Sequence, residues 1–228
     1  MEEIVLNLQK FEKELCVREG FYQSLIQEDD WSFVIKIHAL FEAALTHSIS
    51  TRVGTALRTI STKPFDESSI SRQVGWLEMS GRRIGKATLA RGMGLLNDKQ
   101  MEFLWKLSEL RNAFVHRVSN TETTLVQYVQ SLDQNQRKNL FIAISSGLNE
   151  RTLKRSLGDK ISTISYAEAH IKEAIWISGL SFLRSQIHSI KSTRTNTKLR
   201  EVERLVTQAL IAKIKDRDKS TRPTRRSS

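Results

Sequence analysis

The chain has only two prolines among its 228 residues, so long stretches of it contain no residue that breaks a helix. Glycine and proline together number 12, too few for an all-β protein, which needs a turn about every ten residues. Apolar residues recur at spacings of three and four along most of the chain, the pattern of amphipathic helices. The sequence therefore predicts an all-α protein built as a helical bundle.

Capping residues and apolar periodicity predict where the helices begin and end. Ser131 with Gln134, and Ser165 with Glu168, have the spacing of capping boxes and precede apolar-periodic runs. The second of these runs is apolar on nearly all sides, so we predict it as the central buried helix. The predicted helices are residues 2–27, a helix capped by Asp30 that ends at the Lys63–Asp66 break, a helix capped by Asp66 up to about Leu77, residues 82–92, a helix capped by Asn97 with Gln100 up to about Val118, and residues 166–190 and 197–215.

The net charge of +11 is concentrated near the carboxyl-terminal end of the sequence. Residues 191–228 hold 12 Lys/Arg and 4 Asp/Glu, a net of +8, whereas residues 1–190 hold 24 and 21, a net of +3. We predict a helical domain over residues 1–190, then a basic amphipathic helix and a disordered tail within 191–228. A basic arm favours phosphate-rich partners through counterion release, although a solvated tail that only aids solubility has the same composition.

The composition excludes disulfide scaffolds and cysteine-based metal sites. Cys16 is the single cysteine, so the chain cannot form an internal disulfide. Four histidines, His38, His47, His170 and His188, are candidate metal ligands. No cysteine or acidic pair completes a metal site around them. We therefore predict no metal and no cofactor.

The sequence also predicts a location. The amino-terminal residues 1–4 are acidic where a secretory signal would be basic. The most apolar stretch, residues 174–183, is about half as long as the roughly 20 apolar residues that span a membrane. We expect a cytoplasmic protein that does not associate with membranes.

The segment Leu110–His116 places polar side chains beside a predicted buried face. That face, an arc of about 80°, consists of Phe103, Leu107, Leu110, Phe114 and Val118. Arg111 lies at the edge of the arc, where an unpaired guanidinium is costly, so it must be paired or have a function. Asn112 and His116 are four residues apart and share one face of the helix. His116 lies about 140° from Arg111 around the axis, which a long arginine side chain can bridge.

Two interpretations fit this segment. In the structural one, Arg111 pairs with Glu42, which lies at the edge of the apolar arc on the second helix. Asn112 and His116 then lie near the carboxyl-terminal end of the helix without a catalytic role, and the helix dipole favours a cationic histidine there. In the functional one, the guanidinium and the imidazole act on the same phosphate. Helical spacing alone favours the structural interpretation.

The run Arg111-Asn112-Ala113-Phe114-Val115-His116 resembles the signature of the HEPN superfamily, which is arginine, a polar residue, three more residues and histidine near a helix end. The similarity extends to residues 40–45 of the second helix, where relatives often have a glutamate, here Glu42. Together with the second resemblance described below, it covers roughly residues 30–120, with a generic helix match at 166–190. HEPN proteins are typically metal-independent endoribonucleases, or RNA-binding relatives that have lost cleavage. The resemblance thus implies a HEPN-like bundle with RNA as its partner.

The resemblance also implies a role for each residue of the motif. His116 would take the 2′-hydroxyl proton or protonate the 5′-oxygen leaving group, a role that suits an imidazole at neutral pH. Arg111 would neutralise charge on the phosphorane oxygens. Asn112 would orient His116 or bind the phosphate, and Glu42 would hold Arg111 in place. The product would be a 2′,3′-cyclic phosphate, and a homodimer is implied because HEPN motifs usually face each other in pairs.

A second resemblance gives the alternative function. Residues 76–96, which end in Gly-Met-Gly-Leu-Leu, are similar to the mannitol-repressor family, whose helical fold has a comparable turn before its long helix. This implies a non-catalytic transcriptional regulator or interaction module. The HEPN resemblance instead implies a toxin or anti-phage effector, with an antitoxin or regulatory protein as a further partner. A purely structural oligomerisation module is the third hypothesis.

Seven more basic residues are candidates for nucleic-acid contact or for a solvated surface. Residues 81–88 fail as a phosphate-binding loop, because their glycines are one residue too close and Ala87 replaces the metal-binding Ser/Thr. The basic candidates are Arg82, Arg83, Lys86, Arg117, Arg151, Lys154 and Arg155. The tryptophans expected in the core or an interface, rather than stacked on bases, are Trp31, Trp76, Trp105 and Trp176.

Overall fold

The computed structural model describes residues 2–60, 66–116 and 122–220. These residues form α-helices and one short 3₁₀ helix without any strand, which confirms the predicted all-α fold class. The helices are α1 (Glu2–Glu14), α2 (Phe21–Ser24), the 3₁₀ helix (Leu25–Gln27), α3 (Asp30–Ile60), α4 (Glu67–Gly75), α5 (Lys86–Gly92), α6 (Asp98–Val115), α7 (Leu125–Ser131), α8 (Gln134–Ile144), α9 (Glu150–Leu157), α10 (Thr163–Ala169) and α11 (Ile171–Ser220). Within the described residues, no helix is both long and apolar enough to cross a bilayer.

Helix α3 lies at the centre of the bundle and packs against α4, α5, α6 and α11. The ring of Phe41 on α3 joins three helices, since its centroid lies 6.0 Å from that of Phe103 on α6 and 4.9 Å from that of Phe182 on α11. Gly179 of α11 lies so close to Phe41 and to the Tyr22 hydroxyl that a β-carbon there would collide with both. This tight packing fixes the position of α6 against α3, and the candidate site lies between those two helices.

The predicted single helix over residues 2–27 is wrong, because the chain turns between α1 and α2. Cys16 and Gly20 adopt positive φ angles of 58° and 75° in this turn. The buried carboxylate of Glu12 accepts the backbone N–H groups of Gly20 and Tyr22, both at 2.8 Å. The carboxylate therefore satisfies N–H groups at the start of α2, which have no partner within that helix.

The helix starts predicted at Asp66 and Asn97 are confirmed. The Asp66 carboxylate accepts the N–H of Ser68 at 2.9 Å, and Asn97 forms a reciprocal capping box with Gln100. Helix α3, in contrast, is capped by the preceding aspartate, Asp29, rather than by Asp30. Two adjacent aspartates offer the same capping chemistry, so the sequence pattern could not choose between them.

Both capping boxes predicted further along the chain are wrong by a few residues. Ser131 ends α7 instead of starting a helix, and Ser165 is the last residue of a box rather than its first. The boxes that form are Thr124 with Gln127, Asp133 with Gln136, and Ser162 with Ser165. Polar residues are frequent in these loops, so several pairs have the required spacing.

Helix α11 continues without a break past residue 190 and includes the predicted helix 197–215. Residues 180–220 contain no proline or glycine, so nothing in the sequence ends the helix there. Its first part packs against α3, with Ile175 and Leu183 fully inaccessible. Arg184 and His188 on its other side are exposed, so α3 and not this helix is the central one. The predicted tail beyond Ser220, the end of the fifth predicted helix at Val118 and the candidate Arg117 lie outside the described residues.

Candidate active site

A cavity of about 340 Å³ opens between α3, α6 and the loop that follows α4. Glu42 comes from α3, and Arg111, Asn112 and His116 come from α6 and its carboxyl-terminal cap. The residues that line the cavity are His38, Glu42, Glu78, Met79, Ser80, Ser108, Arg111, Asn112 and His116. The structure thus brings all four predicted site residues, Arg111, Asn112, His116 and Glu42, to one cavity.

The geometry of α6 explains how the motif reaches the cavity. The predicted apolar face is buried: Phe103, Leu107, Leu110 and Phe114 are each 1% exposed. Burial of that face fixes the rotation of α6, so the stripe of residues 108, 112 and 116 faces the opening. His116 is the carboxyl-terminal cap of the helix, and its N–H donates to the Asn112 carbonyl at 3.1 Å.

Within the motif, Arg111 is half-buried while Asn112 and His116 are exposed. The Arg111 guanidinium donates from Nη1 to Oδ1 of Asn112 at 3.0 Å. Because a guanidinium has five N–H donors and this contact uses one, most of its donors remain for a phosphate. The arrangement puts a cation and an exposed imidazole on the same cavity wall.

Glu42 does not hold Arg111 as expected; it pairs with Lys86. The Lys86 ammonium donates to Glu42 Oε1 at 2.5 Å and to the Gly75 carbonyl at 3.2 Å. Lys86 is only 2% exposed, so its prediction as part of an exposed basic surface or an RNA contact is wrong. A buried ammonium needs a carboxylate within reach, and Glu42 provides it.

His38, which the sequence pattern treated as an isolated histidine, also lines the cavity. It is 8% exposed, and its Nε2 lies 3.1 Å from Oγ of Ser108 on α6. Burial is the main cause that lowers the pKa of His38 from 6.5 to about 4, and the charge of Glu42 opposes this effect. The positive charges of Arg111 and Lys86 lower the pKa further.

A sequence signal for these additional residues exists, although it is weak. His38 and Glu42 are four residues apart on α3, so they share a face. Ser108 continues the same stripe as Asn112 and His116 on α6. Polar residues at this spacing on two helices indicate a polar seam, but only the packing of α3 against α6 shows that the two stripes meet.

The low pKa of His38 predicts a loss of stability in acid. Between pH 6.5 and about 4, the unfolded chain binds a proton at this imidazole and the folded chain does not, so the free energy of unfolding falls as the pH falls. The full effect of such a shift is about 3 kcal/mol. Urea unfolding should therefore show a larger acid-dependent loss in the wild type than in His38→Gln, which cannot titrate. Equal losses in the two proteins would contradict the prediction.

The remaining basic candidates lie outside the cavity. Arg82 is exposed and its guanidinium lies 5.4 Å from the centroid of the Trp105 ring on α6, while Arg83 is exposed. Lys154 on α9 pairs with Glu150 at 2.8 Å. Arg151 and Arg155 are exposed on the same helix and do not line the cavity.

Trp76 does not lie in the core, one of the two places predicted for it. It is 84% exposed, directly after α4, and Ile84 in the following loop is 77% exposed.

Comparisons of the chain with models of known protein families, with curated proteins and with solved structures give no match. Inference about function therefore starts from the cavity and its residues.

Proposed function

We propose that this chain is a metal-independent endoribonuclease of the HEPN type, which cleaves RNA to leave 2′,3′-cyclic phosphate ends. The observation that supports the proposal most is that Arg111, Asn112 and His116 line one open cavity. Phosphodiester cleavage by the neighbouring 2′-hydroxyl needs charge neutralisation at phosphorus and proton transfer at two oxygens. A guanidinium and an imidazole on one wall supply both kinds of chemistry without a metal.

In this mechanism Arg111 binds the scissile phosphate. Its fork of N–H groups matches phosphate oxygens and stabilises the negative charge that grows on them in the transition state. Asn112 accepts one N–H of Arg111 and so holds the guanidinium in place. His116, exposed at the end of α6, transfers a proton to or from the reacting oxygens. Glu42 supports the site indirectly, by balancing the charge of Lys86.

The proposed path of RNA outside the cavity follows exposed basic residues. Arg82 sits over Trp105, which is two turns before Asn112 on the same side of α6. We place the RNA backbone along Arg82 and Arg83, with the basic residues of 191–228 as a further contact. Binding that depends on such contacts weakens steeply with salt, because each neutralised phosphate releases counterions.

The HEPN resemblance also carries the cellular part of the proposal. The protein would act as a homodimer in the cytoplasm, as a toxin or anti-phage effector. An antitoxin or regulatory protein would hold it inactive until it is needed. Co-expression with the product of a neighbouring gene, scored by growth and by intact RNA, tests this part.

The direct test of the proposal uses purified protein and a long single-stranded RNA in the presence of EDTA. We expect fragments whose 3′ ends are cyclic phosphates, identified by mass spectrometry of the products. Dependence of cleavage on a divalent metal, or 3′-hydroxyl products, would contradict the mechanism. RNA that stays intact under all conditions would refute the proposed nuclease activity.

One observation favours the alternative, a non-catalytic regulator similar to the mannitol-repressor family. The segment with that resemblance exposes the large apolar side chains of Trp76 and Ile84, and aromatic residues are enriched in protein–protein interfaces. Under this alternative, Trp76→Ser abolishes regulation of the target genes while His116→Ala leaves it unchanged. Under the nuclease proposal the cellular effect depends on His116.

A further inference from the structure

The cavity contains two imidazoles from the same chain. His38 comes from α3 and His116 from the end of α6, and both line the cavity together with Arg111. Cleavage of RNA through its 2′-hydroxyl requires one group that removes a proton and one that supplies a proton. Within one chain the HEPN-like motif provides only one such group, and His38 is a second imidazole that the same chain brings to the cavity.

The hydrogen bonds around His38 favour the tautomer that carries its proton on Nε2. Ser108 Oγ lies 2.9 Å from the Leu104 carbonyl, in position to donate its own proton there. With that hydrogen bond in place, the imidazole is the donor in the contact of 3.1 Å between His38 Nε2 and Ser108 Oγ. The proton of the neutral ring is then on Nε2, and Nδ1 keeps a free lone pair.

The free nitrogen is available to a substrate. Among the described residues, Nδ1 of His38 has no hydrogen-bond partner, and it is not one of the fully enclosed polar atoms. Arg111 and Lys86 disfavour a positive charge on the ring, Glu42 favours it, and burial disfavours it most, which keeps the pKa at about 4. At neutral pH the ring is a proton acceptor and cannot act as an acid.

We propose, on the basis of the nuclease function above, that His38 is the general base and His116 the general acid of one active site. Nδ1 of His38 takes the proton of the 2′-hydroxyl as its oxygen forms a bond to phosphorus. The bond from phosphorus to the 5′-oxygen breaks, and protonated His116 gives its proton to that oxygen. The products are a 2′,3′-cyclic phosphate and a 5′-hydroxyl, with His38 now protonated and His116 neutral. His38 then loses its proton to solvent and His116 takes one up from solvent, which restores the site.

The first test compares two variants that affect His38 differently. The amide of His38→Gln can still donate to Ser108 but provides no basic nitrogen, so cleavage should fall by about 100-fold or more. Ser108→Ala removes the hydrogen bond and keeps the imidazole, so it should lose no more than about 10-fold. Circular dichroism and urea unfolding check that both proteins fold.

The second test separates the base from the acid with a substrate whose 5′-oxygen at a mapped cleavage site is replaced by sulfur. A thiolate leaves without a proton, so this RNA should restore cleavage by His116→Ala but not by His38→Gln. Rescue of His38→Gln by sulfur would assign His38 to the leaving group and overturn the proposal. Lack of rescue for His116→Ala would overturn the assignment of His116 as the acid.

The pH dependence of the wild type gives a readout that needs no variant of His38. Because His38 stays unprotonated down to about pH 4, cleavage should not decline between about pH 7 and about pH 5. A decline over this range overturns the proposal.

The outcomes for the two proposals can be told apart. If His38→Gln cleaves as fast as the wild type, His38 is not the base while the nuclease function stands. If the wild type does not cleave, both proposals fall.

Discussion

Arg111→Ala and His116→Ala are each expected to lower the rate of RNA cleavage by about 10²- to 10⁴-fold. In the proposed mechanism Arg111 neutralises charge at the phosphate and His116 transfers a proton, so loss of either removes a group that the reaction requires. Neither side chain is part of the buried core, and both variants should fold. The measurement is single-turnover cleavage of a labelled RNA in EDTA, with circular dichroism to confirm the fold.

Matched controls for this experiment come from elsewhere in the chain. His188 is an exposed histidine on α11 and Arg72 an exposed arginine on α4, and neither lines the cavity. His188→Ala and Arg72→Ala should cleave at the wild-type rate. Arg111→Lys should lie between Arg111→Ala and the wild type, because lysine keeps the charge but lacks the paired donors. Wild-type rates in both alanine variants of the motif would refute the assignment of the site.

Glu42→Gln is expected to lower the free energy of unfolding by about 3–5 kcal/mol, because it leaves the buried Lys86 ammonium without its carboxylate. Lys86→Met should cost less, since the Glu42 side chain is 35% exposed and can be hydrated from the cavity. The double variant should therefore be more stable than Glu42→Gln alone. Urea unfolding of all four proteins gives the coupling energy between the two side chains.

A second cycle distinguishes this role of Glu42 from the one expected from sequence. If Glu42 held Arg111, Glu42→Gln and Arg111→Met would show strong coupling in stability. The observed pairing of Glu42 with Lys86 predicts that these two changes are nearly additive. A coupling between Glu42 and Arg111 as large as that between Glu42 and Lys86 would contradict our description of the site.

The parts of the fold that the sequence predicted are those governed by local periodicity. The apolar face of α6 was predicted correctly because a 3.6-residue period specifies burial directly. The turn between α1 and α2 was missed because it depends on Glu12, whose carboxylate binds N–H groups eight and ten residues further on. Such a contact leaves no periodic signal in the sequence.

In the candidate site, too, the sequence predicted what depends on spacing along one helix and missed what depends on long-range contacts. Arg111, Asn112 and His116 lie on one helix, so their spacing could be used to predict that they act together. Glu42 was expected near them, but its partner Lys86 belongs to α5, 44 residues away. His38 was missed for the same reason, because its place in the cavity depends on how α3 packs against α6. Long-range contacts of this kind require the three-dimensional structure.

The proposed reaction is cleavage of RNA by attack of the neighbouring 2′-hydroxyl, and removal of that one oxygen atom from the substrate should abolish it. A cleavage site is first mapped in an RNA oligonucleotide with the wild-type protein in EDTA. The same oligonucleotide is then made with one 2′-deoxy nucleotide at the 5′ side of that site. We predict that cleavage stops at the deoxy position and continues at the other sites. Undiminished cleavage at the deoxy position would show that the 2′-hydroxyl is not the nucleophile.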